Sequence, residues 1–309
     1  MRNFLATACI TGATSGIGKC FALRFAEKGY DLILTGRRKE ILLALAEHLE
    51  TTFRIKVKTL IGDLCDQRFR YRIIELLKNE PGIEVLINNA GFGIDKDFCK
   101  ITPEEVGAMV QTHVEATVAF CHAILPNMIM KRRGIIINVA SLGAFIPGIT
   151  RCLYMSTKSF MHAFSVGLSM EMAPYGIRIQ SLCPGMTKTD FHRHKLDAGT
   201  HKQLKNIRFM TAEQVVDTSL RNLGSKHVLC IPGFTNNFFY LLARLLPNRI
   251  LQILSQFRSQ KVQKNMSNTK STDPFSKKKR RLYRDDAVMT KAGKFPYQES
   301  KHELIGQVK

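Results

Sequence analysis

Apolar residues in the first 231 positions follow two alternating rhythms. Runs at Phe4–Thr11, Asp31–Thr35, Ile55–Ile61, Ile83–Ile87 and Gly134–Val139 are nearly continuous, as expected of strands buried on both faces. Between them, at Gly18–Lys28, Lys39–Leu49, Arg68–Lys78 and Pro103–Lys131, apolar residues recur at helical spacing. A helix over Cys152–Ala173, a strand at Ile177–Cys183, a helix at Ala212–Leu223 and a strand at His227–Ile231 continue the alternation. Strands alternating with helices predict right-handed crossovers, and so an α/β fold with a doubly wound parallel sheet of about seven strands. Ligands of such sheets bind at the carboxyl ends of the strands. No internal repeat interrupts the pattern.

The pattern changes after about residue 234. Over Asn237–Arg258 large apolar side chains, among them Phe238, Phe239, Tyr240, Leu241, Leu242, Leu245, Leu246, Ile250, Leu251 and Phe257, are interspersed with Arg244, Arg249 and Arg258. Pro247 should divide this stretch into two short helices. From Lys261 onward there are 13 Lys and Arg against 5 Asp and Glu, a net of +8, with few apolar residues and the run Lys277–Arg281. That composition predicts a disordered tail. The organisation read from the chain is a doubly wound α/β domain at 1–234, an amphipathic helical extension at 235–260 and a basic tail at 261–309.

Composition narrows the class. The net charge of +21 favours anionic ligands or surfaces. The tail has no regularly spaced aromatics and no recognisable nucleic-acid-binding fold, so nucleic acid is not the favoured partner. The 8 cysteines are scattered without a Cys-x-x-Cys pair. This argues against a zinc site or a disulfide framework and for a reducing, cytoplasmic setting. The apolar run after Arg2 leads directly into a glycine-rich loop, so it reads as a first strand rather than a leader. No stretch reaches the roughly 18 apolar residues of a spanning helix.

The chemistry begins at that loop. Ile10-Thr11-Gly12-Ala13-Thr14-Ser15-Gly16-Ile17-Gly18 joins a strand to a helix. Gly12 permits the sharp turn, Gly16 lets a pyrophosphate approach the backbone, and Gly18 lets the helix pack closely. Gly12, Thr14, Ser15, Gly16, Ile17 and Gly18 thus form the candidate phosphate cradle, backed by the positive end of the helix. The second strand ends in Thr35-Gly36-Arg37-Arg38, without the acidic residue that holds a ribose 2′-hydroxyl; Arg37 suits a 2′-phosphate. Asp63-Leu64 after the third strand is a candidate adenine contact, with an Asp63 helix cap as the alternative. Asn88-Asn89-Ala90-Gly91 ends the fourth strand, where two amides need partners; they can tie the sheet to its neighbour and border the cofactor.

Ser141 follows the strand Ile135–Val139, and Tyr154 and Lys158 are spaced to share one helix face. A phenol near pKa 10 is a weak acid–base group at neutral pH, and a nearby ammonium lowers that pKa. Tyr154 would give a proton to a carbonyl oxygen held by Ser141 while a nicotinamide gives hydride to the carbon.

Thr11-Gly12-x-x-x-Gly16-Ile17-Gly18, Asn88-Asn89-Ala90-Gly91, Ser141, Tyr154-x-x-x-Lys158 and Pro184-Gly185-x-x-x-Thr189 in this order resemble the short-chain dehydrogenase/reductase family over residues 4–231. Bacterial general-purpose reductases are the nearest likeness, with steroid and 3-oxoacyl reductases more distant. The resemblance implies a Rossmann-type sheet, a bound nicotinamide dinucleotide, and homo-oligomers. It implies that Asn89, Ala90, Gly91, Pro184 and Gly185 border the cofactor. It further implies that Lys158 holds the nicotinamide ribose, and that Thr187 and Thr189 contact the nicotinamide end. The family's relay asparagine is replaced here by His113, which can donate and accept but is bulkier.

These features together predict an NADP(H)-dependent reductase of ketones or aldehydes, NADP(H) being preferred over NAD(H). The alternative is a weakly catalytic NADP(H)-binding sensor or scaffold. Substrate contacts are expected from Ala144–Leu153, Phe92–Asp97 and Met186–Arg208. Phe145, Ile146, Pro147, Ile149, Leu153 and Met186 favour an apolar carbonyl, and the lysines and arginine of the last segment (Lys188, Arg193, Lys195, Lys202, Lys205) could attract an anionic carrier. The extension and tail read either as a peripheral anchor on an anionic membrane or as a packing element within the protein or its oligomer.

Overall fold

The structure, a computed structural model, describes residues 6–146, 151–189, 209–225 and 227–246. The chain divides into two units, Met1–Phe257 and Arg258–Lys309. The second unit, with the basic tail at 261–309, lies outside the described residues, as does the part of the extension beyond 246.

The elements run β1 (Thr7–Ile10), α1 (Gly16–Glu27), β2 (Asp31–Gly36), α2 (Lys39–Phe53), β3 (Val57–Ile61), α3 (Gln67–Asn79) and β4 (Ile83–Asn88). They continue with α4 (Pro103–Val110), α5 (Ala116–Lys131), β5 (Gly134–Val139), α6 (Cys152–Met172), β6 (Ile177–Leu182), β7 (Thr187–Lys188), β8 (Met210–Thr211), α7 (Ala212–Asn222), β9 (Leu229–Cys230) and α8 (Phe234–Leu245). Seven strands form one sheet in the order β3-β2-β1-β4-β5-β6-β9, and all its pairs are parallel. This is the doubly wound α/β fold that the alternation predicts. The strand order reverses between β1 and β4, so the crevice of the topological switch point opens beyond Ile10 and Asn88.

The unbroken apolar strands follow from having two covered faces. Ala8, Ile10, Leu32, Leu34, Val85, Ile87 and Ile137 pack into one core with α1, α2 and α7. Their sequence neighbours Cys9, Ile33, Leu86 and Ile136 pack into a second core with α3, α5 and α6. Successive side chains of a strand face opposite ways, so both faces need apolar residues.

Helix ends are set by local chemistry. Thr102 and Glu105 form a capping box that starts α4, with Pro103 in its first turn, and Thr211 and Gln214 do the same for α7. Arg54 and Arg132 adopt left-handed conformations that stop α2 and α5. β3 starts at Val57 rather than Ile55, where its pairing with β2 begins opposite Leu32. Asp66 caps α3 by accepting from the Arg68 N–H. This replaces the alternative of an Asp63 cap: Asp63 instead accepts from the Cys65 N–H two residues on.

The expected single helix over Pro103–Lys131 is divided. One turn of π-helix, Gln111–Glu115, joins α4 to α5 and carries His113. A π turn inserts a residue without interrupting the apolar spacing, so the sequence pattern passes through it unmarked.

Close packing at the start of the first crossover yields a stability test. A Cβ on Gly18 would lie 2.3 Å from the Gly12 carbonyl oxygen and 2.4 Å from Asn89 Nδ2. Gly18→Ala should therefore destabilise the protein by about 1–3 kcal/mol. At Gly167, on the exposed side of α6, a Cβ meets nothing within 4 Å, so Gly167→Ala should stabilise by about 0.5–1 kcal/mol. Urea unfolding of the two variants should move their midpoints in opposite directions.

Candidate active site

The glycine turn is tied to the end of β4 by side-chain bonds. Asn89 Nδ2 donates to the carbonyls of Thr11 (2.9 Å) and Gly12 (3.1 Å). Thr11 Oγ1 accepts from the N–H groups of Asn89 (2.9 Å) and Ala90 (3.0 Å) and donates to the Ile87 carbonyl. Gly12 has φ +68°, and a Cβ there would lie 2.8 Å from Ala90 Cα. Gly16, φ +54°, lies against Thr189: an added Cβ would be 2.8 Å from its methyl group. Ser15 stands at the α1 N-cap, but its side chain caps no amide, and the first turn carries no acid. The first amides of α1 are thus left for an external acceptor. This bare helix start, and a turn with no room for side chains, fit a dinucleotide phosphate.

Beside the cradle, two arginines take different partners. Arg37 NH1 lies 3.2 Å from Asp63 Oδ2. Arg38 Nε and NH2 donate to Thr14 Oγ1 in the glycine loop, at 3.2 and 3.0 Å. Partial burial pushes the Asp63 carboxyl up, but the Cys65 N–H and the Arg37 guanidinium outweigh it and hold the group below its usual range. Sequence reasoning singled out Arg37; Arg38 is the arginine that reaches the loop. Leu64 is buried in the core around α3 rather than standing free.

Ser141, Tyr154 and Lys158 come together beyond β5. Ser141 Oγ accepts from the Gly143 N–H at 3.1 Å, and its bond with Tyr154 draws the phenol's pKa down. Burial is stronger and pushes that phenol above its ordinary value. Lys158 Nζ donates to the Val139 carbonyl at 2.8 Å, touches Met161 Sδ at 3.5 Å and lies 5.9 Å from the Tyr154 ring centre. Burial pushes Lys158 down to about 8. The sequence reading had the ammonium depress the phenol; in the structure loss of water dominates both groups.

His113 is fully buried at the edge of this cluster. Its Nε2 accepts from the Phe92 N–H at 3.1 Å, and its Nδ1 lies 2.8 Å from Thr157 Oγ1. Burial, followed by the nearby Lys158 charge, holds its pKa well below the usual histidine value.

Arg151, Asp95, His162 and Tyr240 border the site without belonging to any motif. Arg151 pairs with Asp95 at 2.5 Å, joining the start of α6 to the loop after β4. Their charges act on Tyr154 in opposite directions. Phe145 stacks edge-on against His162 (4.7 Å) and against Tyr240 of α8 (4.8 Å). A Cβ on Gly185 would lie 2.4 Å from Asn236 Oδ1, so α8 packs on the Pro184-Gly185 turn. Thr187 Oγ1 donates to the Gly185 carbonyl, and β7 pairs with β8 in a small parallel sheet that holds Thr187 and Lys188, with Thr189 directly after it. Of the expected substrate segments, 147–150 and 190–208 lie outside the described residues, including Pro147, Ile149, Arg193, Lys195, Lys202 and Lys205. Among the described residues no cluster of three or more His, Cys, Asp or Glu could hold a metal.

Comparison with known proteins agrees with this geometry. Residues 6–199 match the short-chain dehydrogenase family model. The chain is 32% identical over 217 residues to serine 3-dehydrogenase of Rhizobium radiobacter, covering 69% of this chain and 85% of that one. It is 31% identical, covering 67% and 85%, to an NADP-dependent 3-hydroxy acid dehydrogenase of Salmonella typhi. Among solved structures, a short-chain dehydrogenase from Sphingobium yanoikuyae in complex with NADPH superposes with a TM-score of 0.69 at 29% identity, covering 84% of this chain and 95% of that one. A bulky-bulky ketone specific alcohol dehydrogenase from Comamonas testosteroni gives 0.68 at 26%, with the same coverage. The chain belongs to the short-chain dehydrogenase/reductase family and is an NAD(P)-dependent oxidoreductase of that class.

The buried lysine gives a pH prediction. In the unfolded chain Lys158 titrates near its ordinary 10.5, in the fold near 8. Between those values the unfolded state binds more protons, so this site's contribution to stability rises with pH from about 8 to 10.5. Below pH 8 the full cost of burying the charge is present. Lys158→Met should therefore gain most over the wild type at pH 7, and the gain should shrink toward pH 10, as read by thermal unfolding. A gain that grows with pH would contradict the burial argument.

Proposed function

We propose that the protein is an NADP(H)-dependent carbonyl reductase in which Tyr154 is the proton donor. The observation that carries this reading is the convergence of Ser141, Tyr154 and Lys158 beyond β5, next to a helix start bare of capping side chains. When bound, the dinucleotide supplies the hydride. The remaining work belongs to the chain. Gly12, Thr14, Ser15, Gly16, Ile17 and Gly18 would cradle its phosphates. Asp63 and the backbone of Leu64 would border the adenine; Asn89, Ala90 and Gly91 the middle of the site; Pro184, Gly185, Thr187 and Thr189 the nicotinamide end. Ser141 would hold the carbonyl oxygen. With its pKa raised, Tyr154 is protonated at neutral pH, the form an acid requires. Lys158, near 8, is mostly charged there and can favour the phenolate left after transfer.

NADP(H) is favoured by Arg37 and Arg38, two guanidinium groups at the end of β2 where an acidic residue would serve NAD(H). Phe145 and Met186 favour an apolar ketone or aldehyde. Relatives named for serine and 3-hydroxy acids add small polar carbonyl compounds to the candidates. A panel spanning both classes, together with 3-oxoacyl thioesters, followed by NADPH oxidation, identifies the substrate. On the best of them Tyr154→Phe should lose turnover by at least about a hundredfold while still binding NADPH. A Tyr154→Phe enzyme with the wild-type rate would exclude Tyr154 as the acid. A chain that binds NADPH but turns over nothing in the panel would favour the sensor or scaffold reading.

Arg37→Ala should raise the dissociation constant for NADPH about tenfold, the loss of a hydrogen bond to a charged group, and leave that for NADH nearly unchanged. Fluorescence titration with both cofactors decides it; equal losses would remove Arg37 from 2′-phosphate recognition.

α8 supports a peripheral membrane role. Asn236, Tyr240 and Ala243 face the protein, while Phe234 (89% exposed), Phe238, Phe239, Leu241, Leu242 and Leu245 (75%) are exposed. Among the described residues no helix is long and apolar enough to cross a membrane. An apolar helix face in a chain of net charge +21 suits the surface of an anionic bilayer. Full-length protein should float with anionic vesicles at low salt and partly release at high salt. Protein that stays in solution at low salt would instead make this face a contact within a homo-oligomer.

A further inference from the structure

The position where the family carries its relay asparagine is held here by a histidine whose two ring nitrogens are both engaged. The Phe92 N–H can only donate, so Nε2 of His113 carries a lone pair. Thr157 Oγ1 gives its single proton to the Tyr154 carbonyl at 2.8 Å. It must therefore accept from Nδ1, which lies 2.8 Å away. The imidazole is neutral and protonated on Nδ1, and the two bonds define that tautomer without reference to pH. No lone pair or proton on the ring is free for a further partner.

The two bonds join the two halves of the site. Phe92 directly follows Asn89-Ala90-Gly91, the segment locked to the glycine turn. Thr157 lies between Tyr154 and Lys158 on α6. The ring sits between Phe92 (centres 5.7 Å apart) and Tyr154 (5.9 Å). Its approach depends on Gly91: a Cβ there would lie 2.9 Å from Nε2 and 3.5 Å from Lys158 Nζ. The π turn at Gln111–Glu115 holds the side chain at this depth between α4 and α5.

We infer that His113 is a positioning residue, a two-way clamp between the cofactor-bordering segment ending at Phe92 and the helix of Tyr154 and Lys158, and that it carries no proton in the reaction. This rests on the reading of the site as one for NADP(H) and a carbonyl substrate. Each bond has its own expected consequence. The Nε2 bond fixes the segment beside the cofactor and governs its affinity. The Nδ1 bond fixes the first turns of α6 and governs the rate at saturation.

Two substitutions separate the bonds. The amide of Asn reaches the position of Nδ1, and that of Gln the position of Nε2. His113→Asn should keep kcat within about threefold and raise the Kd for NADPH about tenfold, the range expected when a buried N–H loses its acceptor. His113→Gln should keep the Kd and lower kcat by a similar factor. Thr157→Val, which removes the Nδ1 partner from the other side, should reproduce the kcat loss of His113→Gln, and combining the two should add little further. The solvent-deuterium effect on kcat should stay at the wild-type value in all of them.

Three results would overturn the inference: a fall in kcat with an enlarged solvent-deuterium effect and unchanged Kd in both His113 variants, which marks a proton carrier; a lowered Tm with Kd and kcat both retained, which marks a purely structural role; or non-additive losses absent from the His113–Thr157 pair. Wild-type titration with NADPH is the control that tests the site reading itself: a wild type that binds no NADPH rejects that reading before any variant is compared.

Discussion

The site depends on how closely the first turn can lie against the end of β4. Four bonds cross the switch point, from Asn89 Nδ2 to the Thr11 and Gly12 carbonyls and from the Asn89 and Ala90 N–H groups to Thr11 Oγ1, and each runs between a side chain and the backbone. That distance leaves no room for a Cβ on Gly12 or Gly18. The constraint is geometric before it is chemical. The two central strands must end at the same level, the turn must leave β1 sharply, and α1 must start over the crevice with its amides uncovered. Once those conditions hold, the place left open to an anion follows from the backbone alone.

The side of the site that carries Tyr154 and Lys158 is built on a second buried polar column. Asn88 Nδ2 donates to Asn138 Oδ1 at 2.8 Å, Asn138 Nδ2 donates to Ser165 Oγ at 2.9 Å, and Ser165 donates to the Met161 carbonyl. This links β4, β5 and α6 beneath Lys158, whose Nζ is held by the last carbonyl of β5. Buried polar groups are costly unless paired, so such a column favours one alignment of the helix over slipped ones. The helix carrying Tyr154 is thus fixed from below by Ser165, from the side by His113, and at its start by the Arg151–Asp95 pair.

Much of this was legible in the sequence because it depends on residue type and spacing. Two-sided burial forces unbroken apolar strands, and glycine is required where a turn meets another backbone. The Tyr154–Lys158 interval is a helical turn. What stayed hidden depends on tertiary approach. Nothing in the spacing tells Arg38 from Arg37, yet Arg38 meets Thr14 and Arg37 meets Asp63. Asp63 and Asp66 both fit a helix start, and the one nearer α3 caps it. The π turn leaves the apolar spacing intact, and Thr189 against Gly16 joins residues 173 apart in the chain. The direction in which Tyr154 titrates was also out of reach, since it is set by how much water the fold removes.

A nicotinamide dinucleotide held by the glycine turn at one end and by Lys158 and Thr187 at the other would turn one face of its ring to the carbonyl carbon that takes the proposed hydride. The most direct test is to follow deuterium from each of the two C4-deuterated epimers of NADPH into the alcohol formed from the best substrate. The account predicts label on the carbinol carbon from one epimer only, in proportion to the NADPH consumed. Label transferred from both epimers, or NADPH consumed without label in the alcohol, would contradict it.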